Sequence, residues 1–151
     1  MKQQRIPLFG ALMLAGLLAS TGAQAQFKTT PEVGGAFQRP SPAETPLEYR
    51  SDGARHLYAA YGKQIHKGKM PPLLYGIAII ETEIASDGSV QNVRVVRQPA
   101  AAEVAPWAVE MIKKASPFPP PAKMGSVKYT EIWLVHKSGS FQLDTLTEGQ
   151  R

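Results

Sequence analysis

Three histidines and one close pair of glutamates are the residues of this chain whose types suit chemistry. His56, His66 and His136 could ligate a metal or move a proton. Their spacing argues against both. His56 and His66 stand ten residues apart, nearly three turns of a helix, too far to share one ion, and His136 is remote from either. Each is expected at the surface or half-buried. Glu81 and Glu83 could form a carboxylate pair, but they alternate along one strand and no nucleophile, acid or base joins them; they read as a solvated strand face. The chain has no cysteine, which removes thiolate nucleophiles and thiolate metal sites. It carries no glycine-rich phosphate loop, serine nucleophile elbow or zinc motif. The expectation is no enzyme, no cofactor and no metal. Tyr129, Trp133 and Phe141 could stack on bases or sugars, though core or partner packing is the commoner use of aromatics.

The elements that hold these residues follow from periodicity. Ala54, Leu57, Tyr58, Tyr61 and Ile65 fall at i, i+3, i+4, i+7 and i+11, one helical stripe. Ser51 or Asp52 is placed to cap that helix, Gly68 suits the position after its end, and Met70-Pro71-Pro72 stops it. Leu74 to Ala85 predicts a strand, with Ala78, Ile80, Thr82 and Ile84 on one face. Asp87-Gly88 predicts a type I′ hairpin turn, and Val90, Val93, Val95 and Val96 the returning strand. The three-residue step from Val90 to Val93 calls for a bulge. A second helix is expected from Ala105, with Pro106 first and Ala108, Met111, Ile112 and Ala115 buried; Pro117 ends it. Val127 to Lys137 is the last main strand, and Phe141 to Leu143 suits a short addition. The order α-β-β-α-β predicts an α+β two-layer sandwich, a three-stranded antiparallel sheet covered on one face by two helices. Ile80, Ile84, Val95, Met111, Ile112 and Ile132 form its expected core.

The N-terminus sets the address. Lys2 and Arg5 precede an apolar run, Ile6 to Leu18, followed by Ala23-Gln24-Ala25. The run is about 13 residues, short of the roughly 20 of a membrane span, and reads as a cleaved secretion signal over 1–25. The expected location is the periplasm, or the inner membrane if the run is retained as an anchor. Residues 26–50 hold four prolines and Gly34-Gly35 and read as a flexible tether, leaving 51–151 as the domain. The formal charge of +5 includes Lys2 and Arg5. The remaining excess is scattered, apart from Lys63, His66, Lys67 and Lys69, and export argues against nucleic acid as a partner.

What remains for function is an edge. Val127 to His136 offers backbone donors and acceptors with few charges to protect it. An extended peptide can add to such an edge. Phe141 to Leu143, or a second copy of the chain as a homodimer, would cover it instead. Alternation makes the outward N–H groups either Thr130, Ile132 and Leu134 or Glu131, Trp133 and Val135. Side-chain character puts Ile132 and Leu134 toward the core and Tyr129 and Trp133 on the other face.

Four features together resemble the C-terminal domain of the TonB family over roughly His56 to Lys137. They are Gly76 before the first strand, the turn Ile84-Ala85-Ser86-Asp87-Gly88-Ser89-Val90, the strand Val93 to Val96, and Ile112-Lys113-Lys114-Ala115-Ser116-Pro117-Phe118-Pro119. The resemblance implies a periplasmic protein-binding domain serving energy-coupled transport. Its partner would be a short peptide of an outer-membrane transporter, paired with the strand after the second helix, here Tyr129, Thr130, Glu131, Ile132, Trp133, Leu134 and Val135. TolA domains share the element order, which implies an envelope structural or adaptor protein as the alternative. The chain departs from the family in its cleavable N-terminus, its short tether, and Ala102-Glu103-Val104-Ala105-Pro106 where a Leu-Asp pair is usual. These departures concern coupling to the proton gradient more than the binding domain.

Overall fold

The computed structural model describes residues 27–32 and 39–150; the expected signal sequence lies outside them. The first helix, α1 (Pro46–Ala60), begins five residues before Ser51 because Thr45 caps it. The Glu48 N–H donates to Thr45 Oγ1, and the Glu48 carboxylate accepts in return from the Thr45 N–H, both at 3.3 Å. This reciprocal pair, with Pro46 at the first helical position, is a stronger start than a lone serine or aspartate. The supposed tether is therefore partly helix. Ser41 and Ala43 are buried, and Ser41 is fixed by bonds to Pro120 O (2.8 Å) and Asp52 Oδ2 (2.6 Å). The helix stops at Ala60, not at Gly68. Tyr61 leaves the helical region, and its hydroxyl donates to Met111 O at 2.7 Å, turning the chain into the 3-10 turn Gly62–Gln64.

Four strands form one antiparallel sheet: β1 (Gly76–Ile84), β2 (Val90–Arg97), β3 (Val127–Val135) and β4 (Phe141–Leu143), in the order β2-β1-β3-β4. The three-stranded expectation is corrected by β4, which pairs with Trp133, Leu134 and Val135. Between β2 and β3 lies α2 (Val104–Lys114), where Glu103 takes the cap position and Pro106 sits third rather than first. Helix α1 packs on β3, and α2 on β1 and β2. A second 3-10 turn, Asp144–Leu146, follows β4. Among the described residues no helix is long and apolar enough to cross a membrane.

The hairpin between β1 and β2 is looser than a two-residue turn. Gly88 N–H donates to Ala85 O and Ala85 N–H to Ser89 O, giving a three-residue loop with Gly88 at φ 88°. Gly88 is required on two counts. Its φ is left-handed, and a Cβ there would stand 2.0 Å from Phe118 O. The expected bulge is present: Glu83 faces Asn92 while Ile84 faces Val90, leaving Gln91 extra.

Register fixes the faces. Ala78 pairs with Trp133, Thr82 with Tyr129 and Ile84 with Val127, and all six are buried. Ile80, Ile84, Met111 and Ile112 are in the core as expected. Ile132 is not. It and Leu134 lie half-buried on the opposite face, while Trp133 and Tyr129 face the helices. Side-chain hydrophobicity misassigned the face because both faces of β3 carry large apolar residues. Val95 shares the buried face but is only half-buried at the outer strand. Trp133 stacks on Phe141 (4.9 Å between ring centroids) and meets Trp107 edge-on (6.0 Å).

Candidate partner-binding edge

Three hydrogen bonds orient the backbone of β3. Val135 O accepts from Tyr75 N–H (2.9 Å), so Val135 faces β1. His136 N–H donates to Ser140 O (2.9 Å), and Ile132 N–H to the Glu131 carboxylate (2.9 Å), so even-numbered residues face outward. Residues alternate along a strand. Of the seven expected site residues, Tyr129, Glu131, Trp133 and Val135 direct their backbone at β1; Thr130, Ile132 and Leu134 direct theirs away.

The outward set is not uniformly available. Leu134 pairs with Gln142 of β4. Ile132 is engaged by Glu131, whose side chain is 3 % exposed. Arg50 of α1 holds that carboxylate through Nε (3.2 Å) and Nη2 (2.7 Å), and its Nη2 also reaches Asp144 at 3.3 Å. Burial works against the Arg50 charge, but bonding to Glu131 and then Asp144 outweighs it and raises the pKa. Glu131 Oε2 has no protein partner among the described residues. The cluster ties β3, α1 and the turn after β4 together. Beyond it, among the described residues, no strand pairs with the outer side of Val127–Ile132. Lys128 and Thr130 are the outward residues left there, and both are exposed.

The far side of β4 is closed. Phe141 O accepts from His66 N–H (2.9 Å), and Leu143 N–H donates to Tyr58 Oη (3.1 Å). At the other end of the sheet β2 is also an edge, but its register shifts twice, and Val90 N–H is taken by Ser116 Oγ (3.2 Å).

The residues weighed for chemistry fall into three settings. Glu81 pairs with Arg94 (3.1 Å) and Glu83 with Lys128 (2.7 Å) across the open sheet face. The Lys128 hydrogen bond holds the Glu83 carboxyl below its ordinary pKa, and Lys128 is raised in return. His56, expected nearer the surface, is buried, 2.7 Å from Ala115 O and packed on Phe118; burial lowers its pKa against that bond. His66 and His136 are brought side by side, ring centroids 5.5 Å apart. Sequence reasoning missed this pair because seventy residues separate them and the fold brings them together, through the β3–β4 turn and the bond of the His66 N–H to Phe141 O. Among the described residues no group of three or more metal-ligating side chains occurs.

Compared with protein families, with curated proteins and with solved structures, the chain finds no match.

Proposed function

We propose that this is a TonB-like protein-binding domain of the periplasm. It takes up an extended segment of an outer-membrane transporter or another envelope protein by strand addition to β3. The observation that carries this reading is the outer side of β3 at Lys128 and Thr130, which no strand pairs among the described residues and which lies beyond the reach of β4. The two-layer arrangement, with α1 and α2 over a sheet whose last long strand follows α2, is in keeping with the resemblance. The expected contact is thereby shifted toward the start of β3, because the backbone of Trp133 to Val135 is already paired. Specificity falls to side chains beside the edge, Lys128, Thr130 and Ile132, because backbone pairing is nearly blind to sequence.

The test is capture from outer-membrane extracts with the purified chain, followed by competition with extended peptides from the captured protein. A transporter or envelope protein displaced by its own peptide supports strand addition. Capture that no extended peptide displaces counts against it.

A further inference from the structure

Two serines bonded to the adjacent histidines, Ser138 and Ser140, line a hollow of the described structure. It is open, about 760 Å³, and lies between residues 27–32, the Gly62–Gln64 turn and the β3–β4 tip. Ser138, Gly139 and Ser140 form one wall; Lys28, Lys63 and Gln64 are among the others. The 27–32 segment is fastened: Lys28 O accepts from Trp107 Nε1 (3.0 Å) and from Gln64 Nε2 (2.8 Å).

Behind the serine wall runs one chain of hydrogen-bonding groups. His136 Nδ1 is 2.8 Å from Ser138 Oγ, Ser138 Oγ is 3.0 Å from Ser140 Oγ, and Ser140 Oγ is 3.2 Å from His66 Nδ1. Each imidazole thus backs a hydroxyl that lines the hollow. The Ser138 N–H also donates to His136 Nδ1 (3.2 Å), which places the neutral ring's proton on Nε2. Two lysines, Lys28 and Lys63, are in the wall, and others adjoin the histidines in sequence. Lys137 adjoins His136, and Lys67 and Lys69 follow His66. Among the described residues Lys28, Lys67, Lys69 and Lys137 have no ion pair. The carboxylate in the wall, Glu32, is engaged by the Lys63 N–H (2.7 Å) and ammonium (3.6 Å), and Glu148 by the Gly68 N–H (3.1 Å).

We propose that this hollow binds a phosphate group, free or carried on a larger molecule, through Ser138, Ser140 and Lys63, with His136 taking up a proton as it binds. A tetrahedral dianion offers several acceptor oxygens to two hydroxyls and the nearby ammonium groups. When the His136 Nδ1 is protonated, the ring donates to Ser138 Oγ, and the hydroxyl hydrogen is released toward the anion. Protonation of His136 also frees the Ser138 N–H to donate to the same oxygens. Without an anion, burial and then the neighbouring His66 and Lys137 lower the His136 pKa. Binding and protonation therefore favour each other. The site does not rest on strand addition and stands or falls separately.

The experiment is a backbone amide NMR titration of the whole domain with inorganic phosphate, against chloride at equal ionic strength. Saturable shifts are expected at Ser138 to Ser140 and His66, with affinity reduced about tenfold or more in Ser138→Ala/Ser140→Ala, the loss of two charge-assisted bonds. Sulfate, whose charge is constant in this range, supplies the pH arm. Its affinity should rise severalfold from about pH 7.5 to about 5.5, and less in His136→Gln. Vesicles containing phosphatidylglycerol separate the sources. Sedimentation lost in the serine variant assigns the phosphate to a lipid headgroup; no sedimentation, with phosphate binding kept, assigns it to a soluble ligand. Shifts equalled by chloride, or unchanged in the serine variant, would overturn the site and leave only diffuse attraction.

Discussion

β3 has two unlike halves. Trp133 to Val135 is paired on both sides, with β1 and with β4, and its outward Leu134 has a partner in Gln142. Val127 to Ile132 is paired with β1 alone in the described structure. The difference is one of length. β4 is three residues long, and the chain then turns at Asp144, where Arg50 fastens it to the buried Glu131. The closed half holds the aromatic core through Trp133. On the proposed reading, the open half lends its ladder to another chain without disturbing that core.

Proline separates the two sides of the open half most sharply. Glu131→Pro removes a donor aimed at β1 and breaks the buried pair with Arg50; it should cost more than about 3 kcal/mol or prevent folding. Thr130→Pro removes an outward donor and should cost less than about 1 kcal/mol while abolishing partner capture. Thermal melts read the first quantity and capture the second. Equal destabilisation would mean that the assigned facing of the strand is wrong.

Truncation contrasts the two faces next. Trp133→Ala should cost about 3–5 kcal/mol, because the ring is fully buried against Trp107 and Phe141. Leu134→Ala, only half-buried, should cost about 1 kcal/mol. Urea unfolding compares them, and a reversed order would restore the core assignment made from hydrophobicity alone.

Glycines sharpen the contrast between fixed and permissive turns. Gly88→Ala forces a Cβ against Phe118 O at a left-handed φ and should cost about 1–3 kcal/mol. Gly62, where an added Cβ would meet nothing within 4 Å, should accept alanine within about 0.5 kcal/mol. Denaturant midpoints at matched slopes decide this.

The smallest effect is the pH dependence from His56. Burial lowers its pKa, so the unfolded chain binds more protons between the folded-state and unfolded-state values. Stability is fully present above about pH 6.5 and falls on acidification toward the folded-state value, by at most about 1.4 kcal/mol per unit for one proton. His136 is shifted the same way and adds to it. Guanidinium unfolding across this range should show the fall; a rise would show that another group controls the profile.

Local chemistry made much of this legible. The valine spacing in β2 demanded a bulge and there is one, and the buried stripe of α2 fell where its periodicity put it. The two most telling motifs turn out to touch: Phe118 N–H donates to Gly88 O (2.7 Å), and Val90 N–H to Ser116 Oγ (3.2 Å). That contact explains why a turn and a proline-rich stretch nearly thirty residues later belong together. The misses have physical causes. The Thr45–Glu48 box starts a helix inside what composition marked as tether. The facing of β3 could not be read because Ile132 and Leu134 are as apolar as the core side. Glu131 looks like a surface charge until Arg50, eighty-one residues earlier, comes to meet it. The proximity of His66 to His136 is likewise a product of topology alone.

Amide hydrogen exchange of the domain with and without the captured envelope protein reads strand addition at the edge amides themselves. Strand addition to the open half of β3 predicts that Lys128 and Thr130 slow by about tenfold or more on binding, with Leu134 and the β2 amides of Val93 and Val95 unchanged. Protection confined to Val93 and Val95, or none on either edge while the partner is bound, would contradict it.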